Sequence, residues 1–227
     1  MSKDPNDSID PAWGYVSPGE SRLPASTAVV LAMVLQFVLP DKLALGPTWF
    51  VPSIELVLLL TLVIVGPTRL GAESRDLRVV ALILIFFLMA ADGSTLALLL
   101  HHLLHSGDSI RGRTLIYSAV AVWVTSVVAF GLLYWEIDRG GPIKRCWPDH
   151  PRPDFLFPQM SSPASTPEPW TPRFVDYLYV SLTNSSAFSP TDALPLTRRA
   201  KALMAAQSVT SLATIVVVGA RAVNILS

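Results

Sequence analysis

Apolar residues along this chain come in blocks, and the blocks are separated by Pro, Gly, Arg and short acidic runs. A spanning helix needs about 20 mostly apolar residues, because the hydrocarbon layer is about 30 Å thick and each residue rises about 1.5 Å. Residues 25–39 form the first block, which stops at Pro40-Asp41-Lys42 and is short for a crossing. Residues 49–65 form the second, clean apart from Glu55 and closed by Gly66-Pro67. The third, 79–104, is long, and Asp92-Gly93-Ser94 is expected to interrupt it. The fourth, 114–135, ends on Tyr134-Trp135, placed as an interfacial aromatic pair would be. The fifth, 200–226, is rich in Ala, Val, Ser and Thr, which suit close helix packing in lipid.

This pattern predicts an all-α integral membrane protein with about five transmembrane helices plus one short re-entrant helix. Three regions follow. Residues 1–24 are a polar N-terminal arm without the basic and apolar sequence of a signal peptide. Residues 25–105 are a three-helix membrane region. Residues 114–227 are a two-helix module with a Pro-rich loop at 138–172 and a re-entrant segment at 173–195. Eleven of the 19 prolines fall between Pro142 and Pro195, so most of that loop cannot be helical. The exception is 174–183, FVDYLYVSLT, which is amphipathic, free of Pro and Gly, and too short to span.

Composition agrees with a membrane setting. The chain is 51% hydrophobic and only 15% charged, against about 25% charged in typical globular domains. Its 17 basic and 17 acidic residues cancel, which leaves no field to attract nucleic acid. The single cysteine, Cys146, excludes an intrachain disulfide framework and any Cys-rich metal centre. A nucleotide-binding loop, a nucleophile elbow and paired catalytic carboxylates are all missing, so no enzymatic activity and no cofactor are expected. The expected setting is multi-pass, in a lipid bilayer, in a bacterial cell (inner) membrane.

The stretch 174–207, FVDYLYVSLTNSSAFSPTDALPLTRRAKALMAAQ, resembles the pore module of the potassium-channel superfamily. That module is an outer helix, a pore helix, a filter loop and a lining helix. Its consensus has an aromatic-X-Asp start, a Tyr/Phe-Ser-X-Thr helix end, the filter Thr-Val-Gly-Tyr-Gly-Asp and a Pro three residues later. Aligned without gaps, Tyr179, Ser181 and Thr183 match the helix end, Asp192 the trailing Asp and Pro195 the Pro. Ala200 and Leu203 match the start of the lining helix. The resemblance covers about half of the chain and makes 114–135 the outer helix. It implies a homotetramer, since one module encloses a quarter of a pore.

The filter departs from the family. Ala187-Phe188-Ser189-Pro190-Thr191 stands where Thr-Val-Gly-Tyr-Gly is expected. Potassium is selected by rings of backbone carbonyls, and the glycines permit the backbone that aims them. Ser189 and Thr191 carry a Cβ, and Pro190 fixes φ near −65°. Any conducted monovalent cation would instead pass the side chains of Asn184, Ser185, Ser186, Ser189, Thr191 and Asp192, with weak or no preference for potassium. The filter-like candidates are therefore Thr183, Asn184, Ser185, Ser186, Ala187, Phe188, Ser189, Pro190, Thr191 and Asp192. The alternative is a non-conducting scaffold or sensor that retains the module, and after it a small transporter.

Ionisable residues at membrane depth are functional candidates in their own right. Glu55 lies one turn inside the second block and is expected to cap or snorkel. Asp92, near the middle of the third, is expected to break the helix or bond a neighbouring hydroxyl, with a proton or cation path as the alternative. His101 and His105 share a helix face and are a weak metal pair; interfacial or pH-sensing histidines are the plainer reading. Glu136 and Asp138, beside Arg139, are expected to form a salt-bridged end to the fourth block. The apolar run at 153–158 is expected to pack back on the helices. Sidedness is in conflict. Ten basic residues share the face of the long loop and only three mark the other, which makes the loop cytoplasmic by the positive-inside rule. The resemblance makes it external.

Overall fold

The structure is a computed structural model, and it describes residues 19–37, 39–44, 46–65, 75–105, 112–147, 150–161, 170–187 and 193–226. Its helices are α1 (Leu23–Phe37), α2 (Phe50–Val65), α3 (Arg75–His105) and α4 (Gly112–Ile137), followed by α5 (Pro158–Ser161), α6 (Phe174–Ala187) and α7 (Arg198–Leu226). Two short strands, β1 (Phe155–Leu156) and β2 (Leu194–Pro195), pair antiparallel.

Three helical stretches are long and apolar enough to cross a membrane: Asp76–Leu104, Thr114–Gly140 and Arg198–Val218. The other two apolar helices are shorter. At 15 and 16 residues, α1 and α2 reach roughly 22–24 Å. The connection between them holds a 3-10 turn at Asp41–Leu43, and Leu43 is buried against Leu96 and Leu99 of α3. The α1–α2 hairpin thus stops level with the last third of α3.

The third block differs from its reading in one respect: α3 runs unbroken through Asp92-Gly93-Ser94. Ser94 and Thr95 both donate their hydroxyls to the Ala91 carbonyl, at 2.7 and 3.0 Å, so neither competes with the ladder from outside the helix.

The central helix is α4. Its most apolar window is 72% buried, against 39% for α3 and 28% for α7. It packs on α1, α3, α6 and α7 together. Two apolar clusters result. The larger joins α1 to α4 with α6, the β1 region and the start of α7; the smaller joins Leu43, Leu96, Leu99, Leu115, Ala119, Val122 and Val217 at the opposite end.

After Ile137 the helix is stopped by Arg139, Gly140 and Gly141, all at positive φ (52°, 84° and 102°). A Cβ on Gly141 would also lie 3.0 Å from the Glu136 carbonyl, so only glycine fits there. The chain then folds back as the apolar pattern at 153–158 predicts. Phe155 and Phe157 are buried and pack against Tyr134 and Tyr177.

Candidate functional site

Three elements build the site: α4, the half-length α6, and α7. α6 has 14 residues, about 21 Å, and begins beside the C-terminal end of α4. Its first turn is well capped. The Asp176 carboxylate accepts the Arg173 N–H at 2.7 Å, and a carboxylate there also suits the helix dipole. Glu20, from the segment before α1, accepts the Phe174 N–H at 2.8 Å and the Trp135 indole N–H at 2.9 Å. Burial pushes both carboxyls up from their ordinary values, and the N–H groups they accept oppose that push.

A buried acidic and aromatic assembly holds this end. Asp138 accepts the backbone N–H of Asp154 at 2.7 Å and of Phe155 at 3.3 Å, and the Tyr177 hydroxyl at 2.6 Å. Arg145 donates to the carbonyls of Trp135 (2.7 Å) and Asp138 (3.1 Å), which closes the end of α4, and its guanidinium lies 5.1 Å from the Tyr177 ring. Asp154 accepts Arg199 in a two-atom contact and also the Thr197 hydroxyl, so β1 fixes the start of α7. Arg199 also reaches the Ile137 carbonyl at 3.4 Å, which puts the start of α7 level with the end of α4.

The other end of α6 is held at mid-depth of the bundle by Gln207. Its amide nitrogen donates into the Ser181 carbonyl (3.0 Å), the Ser181 hydroxyl (2.5 Å) and the Ser185 hydroxyl (2.7 Å). Its carbonyl oxygen accepts the Tyr134 hydroxyl at 2.6 Å and the Asn184 amide at 2.9 Å. Asn184 also donates to the Met204 carbonyl, and Ser181 to the Val127 carbonyl of α4. Gln207 lies nine residues into α7, roughly 13 Å below its start. The chain therefore enters between α4 and α7, stops half-way, and has only residues 188–197 in which to return.

The filter-like candidates divide accordingly. Thr183, Asn184, Ser185, Ser186 and Ala187 belong to α6, which runs four residues past the 174–183 segment read from the sequence. Thr183 and Ser186 bond back to carbonyls of their own helix. Asn184 and Ser185 turn into the α6–α7 seam, so they are engaged within the subunit. Ser186 is exposed and extends the outward stripe of Val175, Tyr179 and Leu182. Phe188, Ser189, Pro190, Thr191 and Asp192 lie outside the described residues.

The other candidates are elsewhere. Glu55 is fully buried rather than snorkelling, and both its oxygens accept the Gln36 amide, at 2.9 and 3.0 Å. It can stay there because α1 supplies that donor. Asp92 is buried between α3 and α4. Glu136 is buried 3.7 Å from Arg78, with Arg22 facing it, so residue 78, the arm and the long loop share one face. Asp138 lies 3.5 Å from Arg139 but is engaged chiefly by the loop. His101 and His102 stack edge to face at the end of α3, and the His105 side chain lies outside the described residues.

Sequence reasoning did not single out Gln207, Arg145 or Glu20, and it placed Tyr134 and Trp135 in an interfacial pair, whereas both are buried, Tyr134 on Gln207 and Trp135 on Glu20. An isolated glutamine in an apolar helix was the available signal for the first; the others needed the tertiary fold. Comparison with protein-family models, with curated proteins and with solved structures returned no match.

Proposed function

We propose that four copies of this chain surround a cation pore, with α4 as outer helix, α6 as pore helix and α7 as lining helix. The single observation that carries this reading is the placement of α6: a capped half-helix entering from the loop side and held at mid-depth by Gln207, while α7 starts level with α4's end. A helix end with non-helical backbone at membrane depth is tolerated only against protein or a water-filled cavity. A shared axis would supply one. The weakly buried α7, and the outward stripe of α6, are then the surfaces that meet neighbouring subunits and the pore. On this reading α1 and α2 complete five crossings, with the bilayer thinned locally at the short hairpin. The long loop is external, in a bacterial inner membrane.

Residues 189–192 supply the remaining polar lining, and a ring of Asp192 side chains concentrates cations without discriminating sharply among them. Flux through reconstituted liposomes tests this. Potassium and sodium are both expected to pass, with no more than a few-fold preference, and Asp192→Asn lowers the flux while leaving the oligomer intact. Strong potassium selectivity would overturn the account of Ser189-Pro190-Thr191. A second reading is favoured by one observation: Asn184 and Ser185 are engaged by Gln207 within the subunit. It is a scaffold or sensor that keeps the module and does not conduct, and it predicts assembled protein with no flux of either ion.

A further inference from the structure

A cavity of about 40 Å³ lies away from α6 and α7, walled by α3, α4, the start of α2, Gln36 at the end of α1 and the α1–α2 connection. Asp92 lines it, with Ser94, Thr95 and Thr125. Its size admits two or three waters or one small ion stripped of most of its water, and it excludes an organic substrate, which needs several hundred Å³. Its chemistry is one-sided. Ser94 and Thr95 have spent their protons on the Ala91 carbonyl, so they offer only lone pairs. Gln36 has given its amide hydrogens to Glu55, which leaves its carbonyl oxygen as acceptor.

Asp92 itself is more than nine-tenths buried, and the one donor that faces it is the Ser126 hydroxyl of α4, which has no other partner. Among the described residues no basic side chain compensates Asp92. The titratable groups on the packed elements are Glu55 of α2, already held by Gln36, and Asp41 and Lys42 of the connection; α4 carries none between Tyr117 and Tyr134. A carboxylate with one hydroxyl donor and no basic neighbour, in the low dielectric of a bilayer, calls for one positive charge.

We propose that this cavity is a sodium-ion site in which the Asp92 carboxylate holds the ion beside the Ser94, Thr95 and Gln36 oxygen atoms. A proton on the same carboxylate is the competing occupant. The inference does not depend on the pore reading, since no residue of α6 or α7 lines the cavity.

The test is thermal unfolding of the full chain in detergent, in NaCl against choline chloride of equal ionic strength, at several pH values. For a sodium site, NaCl raises Tm by about 2–4 °C at neutral pH, the rise shrinks as protons compete, and Asp92→Asn abolishes it. If sodium has no effect and Tm of the wild type only rises as pH falls, a rise that Asp92→Asn removes, Asp92 is a protonated buried acid and the proposal is overturned. Ser126→Ala and Thr125→Val, which keep the carboxylate, weaken the sodium response and cover the case in which Asp92→Asn does not fold. Identical Tm profiles for wild type and variants in every salt and at every pH overturn the proposal.

Discussion

Gln207 holds four neighbours with one amide, and its burial makes each of those bonds matter. Replacing it by Leu leaves the Tyr134 hydroxyl without its partner and frees Ser185. The expected cost is about 1–3 kcal/mol, read as a lower Tm, with Gln207→Glu intermediate because it keeps the acceptor. Glu20 gives a prediction in pH. Its carboxyl is raised above the ordinary 4.5 by burial, so the folded state binds the proton more tightly than the unfolded chain does. Its stabilising contribution is therefore full below 4.5 and is lost as pH rises through the folded value; Asp176, also raised, acts in the same direction. Glu20→Gln keeps the acceptor for Phe174 and should flatten the fall of Tm with pH, whereas Glu20→Ala flattens it too but loses the cap, at a cost of about 1 kcal/mol at low pH that shrinks as pH rises. A wild-type Tm that climbs through this range would refute the assignment. At this scale the sequence was only partly legible. Asp92 and Glu55 stand out as charges among apolar neighbours, but the sequence suggests that Glu55 caps or snorkels because its donor, Gln36, lies on another helix. Only the fold shows Arg145 closing α4 under Tyr177.

Among the elements, α6 is the one on which the account turns. It approaches α4 closely at Gly131, where an added Cβ would meet the Leu178 Cα at 3.1 Å. Gly131→Val should therefore push α6 outward at a cost of about 1–3 kcal/mol and speed hydrogen exchange of α6 amides more than those of α3. The position of α6 was legible from one stretch free of Pro and Gly inside a Pro-rich loop. Its length was not: the Ser and Asn residues at 184–186 read as loop-formers, yet the seam with α7 and back-bonds to their own helix satisfy them. α3 went the same way, since Gly93 and Ser94 signal a break only where the hydroxyls lack a carbonyl to bond. The α1–α2 hairpin was legible as two short blocks, and its buried turn at Leu43 was not, because its partners lie some 50 residues away.

At the scale of the whole molecule, the loop, the strands and the start of α7 are tied through Asp154. Arg199→Met would leave that buried carboxylate with Thr197 alone. Because Arg199 is half exposed, the cost is held to about 1–2 kcal/mol, and faster proteolysis of the loop is the readout. Everything beyond the single chain follows from symmetry. A half-helix encloses nothing by itself, and a pore needs further copies around one axis. The most direct measurement is the native mass of the full chain in nanodiscs. The account predicts a particle of four 24.6 kDa chains. A strictly monomeric or dimeric particle would contradict it, since α6 would then have no axis to point toward.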